Sequence, residues 1–393
     1  MFRDAVAEAL QRHAAGTPVA AREALLRSLS YRRVDVNDSA SVSAVVALAG
    51  GAVAAYLALP PAAFPAAVTA LAASGLPAGS RIALEKPFGE DLGGAVALNR
   101  LVAKAAGDAG EQAVFRVDHV LGMATVQNLV GMRLAGTVLE QVWNSAHIEQ
   151  VEILWEETLA LEGRAGYYDK AGALKDVVQN HMLQVLSLLA MEPPTRLDEL
   201  RDRKVDLLHS IRPPRARQTR RARYSAGRLA APPEGSGRAV PAYTDEDGVE
   251  LERQTETFAE VALELGSERW AGTRFVLRAG KALDRRRKMA VVRFRSAADE
   301  LRIGLDGPED VTLKLTGGAP GSPVALPLSA APPLDEVPAY GRVLLDVLSG
   351  GSTLSVRGDE AERAWRVVTP VLEAWSQGLV PLEEYPAGSA GPP

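Results

Sequence analysis

The sequence predicts a two-part protein, α/β followed by α+β, and three observations carry that reading. Short apolar strands alternate with Ala/Leu-rich helices through the first 117 residues, the pattern of βαβ units and a parallel sheet. Beyond Asp118 the segments "HIEQVEILWEE", "TRFVLRAGKAL", "MAVVRFR" and "VTLKL" read as strands with few helices between them, which predicts an antiparallel sheet. Two long amphipathic segments in that second part, "ALKDVVQNHMLQVLSLLAM" and "AERAWRVVTPVLEAW", would cover one side of it. The expected division is therefore 1–117 and 118–393.

Taken in order, "MFRDAVAEALQRHA" and "AAREALLRSL" have helical spacing, while "YRRVDV" and "AVAAYLALP" read as short strands followed by turn residues. A helix around Ala66–Gly75, the strand "RIALEKP", the helix "LGGAVALNRLVAKAAG" and the strand "QAVFRVDHV" complete the first part. In the second part, "RPPRARQTRRAR" carries six arginines. It reads as a solvated loop or edge strand, with phosphate or tail binding as the alternative. The terminal "YPAGSAGPP" is Pro/Gly-rich and is expected to fray.

Composition narrows the function classes. A chain of 393 residues can bury a sizeable core and hold two domains. With 47% hydrophobic residues, 24% charged and a net charge of −5, nucleic acid is not an expected partner. No run of about 18 uninterrupted apolar residues occurs, so no membrane span is expected; the most apolar stretch, 42–71, is broken by Pro60, Pro61 and Pro65. There is no cysteine, hence no disulfide and no thiolate metal site, and no metal is expected. The N-terminus lacks the apolar core of a secretion signal, so the expected location is the cytoplasm.

Five histidines can be weighed one by one. His13, on a polar helix face, His147, at a strand start, and His209, in a strand or loop, have no partner pattern. His119 and His181 stand in polar clusters within apolar context. The helix beginning near Ala173 places Asp176, Gln179, Asn180 and His181 within two turns on an apolar scaffold of Leu174, Val177, Val178, Met182, Val185, Leu186 and Leu189. On an α-helix, Asp176 and His181 stand about 140° apart, so the carboxylate that orients His181 should come from elsewhere. Asp118, at the C-terminal end of a parallel strand where α/β sheets bind ligands, is the expected partner. A structural histidine on a packed helix remains the alternative.

"EKPFGEDL" (85–92), "FRVDHVLG" with "VQNL" after it, "GRAGYYDKAGALKDVVQNHMLQ", "AMEPP", "TETFA" (255–259), "RWAGTRFVLRAGKAL" and "AWRVVTPVLEAW" occur in that order. Together they resemble the glucose-6-phosphate dehydrogenase family over essentially the whole chain. The resemblance implies a Rossmann-type coenzyme domain, here incomplete, followed by a large antiparallel β+α domain. It implies an NADP-dependent oxidation of a sugar phosphate at C1 in the pentose phosphate pathway, by a homo-oligomer, dimer or tetramer. It assigns the general base to His181 and the orienting carboxylate to Asp118. Glu157 and Asp176 would meet sugar hydroxyls, Lys281 and Arg286 the substrate, and His119 its phosphate. Lys86 would reach substrate and cofactor, with Pro87, Asp35 and Val36 near the cofactor. A neutral imidazole held by a carboxylate suits the removal of a hydroxyl proton.

Two departures from the family pattern qualify this. Beside His119 the family has a tyrosine and a lysine where this chain has Val120 and Met123, which predicts a weakened phosphate grip, or a methionine that merely fills the core. The family's opening strand, Gly-x-x-Gly-Asp-Leu turn and helix, which receive the cofactor pyrophosphate, are not found: the first glycines are Gly16 and Gly50. The expectations are thus a dehydrogenase given without its first βα unit, or a catalytically silent paralogue acting as a sugar-binding or regulatory subunit.

Overall fold

The computed structural model describes residues 2–134, 137–229, 237–295, 298–306, 311–316, 324–328 and 337–393. Three helices lead the chain, α1 (Phe2–His13), α2 (Val19–Ser28) and α3 (Ser39–Leu48), of which α1 and α2 bury no residue and α3 buries only Val42. "YRRVDV", expected as a strand, joins no sheet among the described residues. Its backbone turns instead at Asp35, whose carboxylate accepts the Asn37 N–H at 2.9 Å and whose own N–H is held by Ser41 Oγ at 3.1 Å. Such Asx turns compete with ladder formation.

Strands and helices then alternate as expected: β1 (Ala54–Leu57), α4 (Phe64–Ala73), β2 (Arg81–Glu85), α5 (Leu92–Ala106) and β3 (Val114–Val117). The three strands pair in parallel. Phe64, Val68 and Leu71 of α4 and Leu98 and Val102 of α5 pack on Ile82, Leu84 and Val114, so the apolar spacing of both helices is spent on one face of this sheet.

The second part runs α6 (Ala124–Arg133), β4 (Ile148–Glu156), α7 (Ala165–Ala173), α8 (Leu183–Ala190), α9 (Leu200–Ser210), β5 (Thr219–Ser225) and a small hairpin, β6 (Gly227–Leu229) with β7 (Arg238–Val240). There follow β8 (Phe258–Leu263), β9 (Arg274–Gly280), β10 (Arg287–Phe294), β11 (Glu300–Gly304), β12 (Val311–Leu315) and β13 (Val324–Pro327). Helix α10 (Ala339–Ser349), β14 (Ser355–Val356), α11 (Gly358–Ser376) and β15 (Leu382–Pro386) close the chain. Among the described residues one sheet has the order β13-β12-β11-β10-β4-β9-β8-β5-β15. It is antiparallel except for the β4/β9 and β5/β15 pairs.

The two parts share more than a chain crossing. β14 pairs antiparallel with β3, and Val343 and Val347 of α10 pack on Ala83, Phe115 and Val117. Residues after 337 thus return to the first sheet and cover its other face. The main core is also continuous across the division, joining Phe88 and Ala95 to Trp155, Leu186 and Trp365.

Two expectations are corrected. The arginine run is loop and a short 3-10 turn as far as Gln218, with Arg212, Arg215 and Arg217 exposed, but from Thr219 it is not an edge: β5 lies between β8 and β15, and its arginines hold the last strand through Arg220–Glu383 at 2.5 Å and Arg223–Glu384 at 3.3 Å. The residues after that strand do not fray. Gly388 N–H bonds to Ala282 O and Asp284 N–H to Ser389 O, both at 2.7 Å, and Arg220 reaches Pro393 O. Pairing and ion pairs here outweigh the flexibility of the Pro/Gly composition. Among the described residues no helix is long and apolar enough to cross a membrane.

Candidate active site

Helix α7 ends at Gly172, whose φ of +66° only glycine adopts cheaply and where a Cβ would overlap the Glu256 carboxylate. From there Leu174–Met182 forms a π-helix rather than the expected α-helix. Its N–H groups reach back five residues, so residues five apart come together, and Asp176 and His181 line one cleft instead of standing 140° apart. Polar side chains meet backbone groups in this wide turn: Asn180 Nδ2 donates to Lys175 O at 2.9 Å and Asn180 Oδ1 accepts the His181 N–H at 2.6 Å.

The cleft holds about 500 Å³ between the end of the parallel sheet and the helix-covered face of the large one. Asp118 leaves β3 with Oδ1 2.5 Å from His181 Nδ1, and both residues are buried. Burial works against the Asp118 carboxylate, but the facing His181, Lys86 and His119 overcome it and hold its pKa down at about 2. An ionised Asp118 can only accept, so Nδ1 is the His181 nitrogen that donates to it, and Nε2 is left free of that bond. Trp155 of β4 stacks on the His181 ring at 5.3 Å between centroids, fixing its plane.

Around the dyad stand paired charges. Lys86 Nζ bonds to Asp176 at 2.8 Å (O) and 3.2 Å (Oδ1), and Tyr167 OH also meets Asp176 Oδ1 at 3.2 Å. Glu157 takes Lys281 at 2.7 Å and Lys288 at 3.1 Å. Burial again opposes the charged form of Glu157, yet the two lysines hold its pKa at about 2; Asp176 is likewise lowered, burial being outweighed chiefly by Lys86. His119 stands edge-on to His181 at 4.7 Å and stacks on Tyr340 at 5.2 Å. Burial, then the nearby His181, push its pKa down to about 4, so the ring is neutral at neutral pH. Tyr340 gets there because a Cβ at Gly122 would overlap Ala339 O, and glycine lets α10 close on the 119–122 turn.

Asp118, His119, Glu157, Asp176, His181, Lys281, Lys86 and Pro87 therefore meet in one place. Arg286 does not: it is exposed and paired with Asp306. Asp35 and Val36 line neither this cleft nor the cavity beside it, being held in the turn before α3. Val120 and Met123 face the core, so neither offers the cleft a polar group. Sequence reasoning missed Trp155, Tyr167, Lys288 and Tyr340. Trp155 was within reach, since it lies two residues from Glu157 and period-2 alternation puts both on one side.

Next to the cleft lies a cavity of about 310 Å³ that shares Pro61, Pro87 and Tyr167 with it and adds Pro60, Lys170, Lys175 and Trp365. Apolar faces beside two lysines fit a flat nicotinamide with anionic phosphates. Ligand atoms of Asp118, His119 and His181 also fall within 4.8 Å of one another, a proximity accounted for by the dyad bond and the ring contacts.

The family described as "Glucose-6-phosphate dehydrogenase, NAD binding domain" matches residues 1–128, and "Glucose-6-phosphate dehydrogenase, C-terminal domain" matches 130–393. The first match begins at residue 1, so the expected loss of the cofactor unit is not borne out by it, although the described residues before β1 form three helices and no strand. Glucose-6-phosphate 1-dehydrogenase of Rhizobium meliloti is 40% identical over 342 residues, 80% of this chain and 67% of the relative. That of Treponema pallidum is 35% identical over 434 aligned positions, 100% of this chain and 82% of the relative. A solved structure of glucose-6-phosphate dehydrogenase in complex with its substrate glucose-6-phosphate superposes with a TM-score of 0.84 at 30% identity, covering 95% of this chain and 82% of the other. With both domains matched, relatives above 30% identity and a complete Asp–His dyad at the sheet end, the chain belongs to the glucose-6-phosphate dehydrogenase family.

Proposed function

We propose that the chain oxidises C1 of glucose 6-phosphate, or a related sugar, to the lactone, with NADP as hydride acceptor, as the entry step of the pentose phosphate pathway. The observation that carries this is the buried 2.5 Å bond between Asp118 and His181, beside a cleft of sugar size. His181 Nε2 takes the proton of the C1 hydroxyl, and the ionised Asp118 stabilises the imidazolium that forms. Glu157 and Asp176 accept sugar hydroxyls, each arriving with a lysine partner that keeps it charged. Lys86 and Lys281 donate to the substrate's oxygens, and the neutral His119 offers a ring N–H to its phosphate. NADP, when bound beside Pro87 and Lys86, supplies the hydride acceptor. A silent paralogue gains no support from a dyad that is complete.

The proposal assigns residues 1–117 mainly to the coenzyme and 118–393 mainly to substrate and self-association, in a cytoplasmic dimer or tetramer; family membership supports this division. The test is steady-state NADPH formation with glucose 6-phosphate. His181→Asn should lower kcat by about 10²-fold or more while KM changes little, as for a lost general base on a rigid helix. Unchanged turnover removes His181 from the reaction.

A further inference from the structure

We infer that Lys288 of β10 is the cation that grips the substrate's phosphate and sets the preference for a phosphorylated over a free sugar. This rests on the dehydrogenase reading above. Four cations line the cleft among the described residues: Lys86, Arg164, Lys281 and Lys288. Lys86 is committed to Asp176 through two contacts, Lys281 makes the shorter bond to Glu157 at 2.7 Å, and Arg164 lies over the Tyr167 ring at 5.6 Å. Lys288 holds the longer, shared contact to Glu157 at 3.1 Å, a loose one to Asp306 at 3.9 Å and the Trp155 face at 4.4 Å. Of the three lysines it has the least to give up, and Arg164, which has no ion pair among the described residues, is exposed to solvent.

Its position fits the task. In a hexose 6-phosphate C1 and C5 flank the ring oxygen and the phosphate hangs from C6, so the base at C1 and the anion grip must lie several ångströms apart. Trp155 provides that spacing: His181 stacks on the indole and the Lys288 ammonium stands 4.4 Å from the indole centroid. The Lys288 charge also bears on His119, the other group proposed for the phosphate. His119 is neutral, and the 120–123 turn gives the cleft only core-facing side chains, so a full positive charge there has to come from another element.

Strand register supplies it. β10 pairs with β4 so that Lys288 is opposite Trp155 and Arg287 opposite Glu156. Arg287 and Glu156 pair on the far face, whereas Lys288 shares the cleft side with Trp155. A flexible ammonium can follow a phosphate without the fixed fork of an arginine.

The test is equilibrium dialysis of the full chain with labelled glucose 6-phosphate, inorganic phosphate and glucose, with no cofactor present. Lys288→Met should weaken glucose 6-phosphate and inorganic phosphate by about 10- to 100-fold, the loss of one charge-assisted hydrogen bond, with glucose nearly unchanged. Lys288→Arg should restore most of the loss, and Lys288→Gln serves if the methionine variant does not fold. A merely structural lysine would shift all three ligands together, and that result, or phosphate binding unaffected by either neutral variant, overturns the assignment. Lysine-dependent phosphate binding by a chain without glucose 6-phosphate oxidation supports Lys288 and removes the proposed reaction instead; a wild-type chain that binds neither phosphate ligand overturns both.

Discussion

Met123 packs against the main core and lines neither cavity, and Val120 beside it is fully buried. The missing family lysine is therefore replaced by packing at its own position, and the cleft draws its charge from elsewhere. A lysine at 123 would have to bury its ammonium or strip its stem from the core. Met123→Lys is expected to destabilise by about 1–3 kcal/mol and to leave kcat/KM for glucose 6-phosphate no higher. Calorimetric melting together with kinetics decides it: a selective kinetic gain on the phosphorylated sugar returns position 123 to the phosphate site. Asp118, His119 and His181 were legible in the sequence because polar groups dense in apolar context are seldom idle. Tyr340 was not, because its ring reaches His119 only through the close approach at Gly122, more than 200 residues away in sequence.

At the scale of the element, the π-helix is anchored by Glu256, whose Oε1 accepts the Leu174 N–H at 2.9 Å. Burial pushes this carboxyl up to about 7, against the Leu174 N–H and Arg221 that favour its charge. A folded-state pKa raised above the unfolded value means the folded chain favours the protonated acid. The stability so gained is fully present below the unfolded pKa of about 4.5 and is lost as pH rises through about 7. The shift corresponds to about 3 kcal/mol. Glu256→Gln should match the wild type in urea unfolding at pH 5 and exceed it at pH 8. A variant whose stability falls with pH as the wild type's does would remove Glu256 as the titrating group. The helix itself was legible from its apolar spacing. Its π phase was not, since the apolar positions of an α-helix and a widened one differ too little over two turns.

Across the whole molecule, the dyad ties Asp118, fixed by the end of the parallel sheet at β3, to His181 among the helices of the second part, so the parts must hold register for the 2.5 Å bond to exist. A polar seam does this. Glu111 receives Arg116 at 2.7 Å, Arg201 at 3.2 Å and the Gly358 N–H at 2.9 Å, while Asn99 donates to Gly358 O at 2.8 Å. Beside it Lys204 of α9 and Glu360 of α11, both fully buried, approach to 2.6 Å as a charge contact. Breaking one side of a buried pair costs about 3–5 kcal/mol, whereas neutralising both costs far less. Lys204→Met should show that loss in urea unfolding, and Lys204→Met with Glu360→Gln should recover most of it; equal losses in the two variants would refute the pairing.

What the sequence by itself determined is what a few neighbouring residues encode: the alternation of strands and helices in the first part, the strand-rich second part, and a histidine and an aspartate set among polar groups in apolar surroundings. What only the tertiary structure decided is phase and register. The π-turns put Asp176 and His181 in one cleft, the β4/β10 pairing put Lys288 inside it and left Arg286 outside, and β15 made the second half of an arginine run an interior strand. The strand pairings join residues far apart in the chain, where a shift of one position reverses which side a group faces at little local cost. Only packing of the whole core selects among such alternatives.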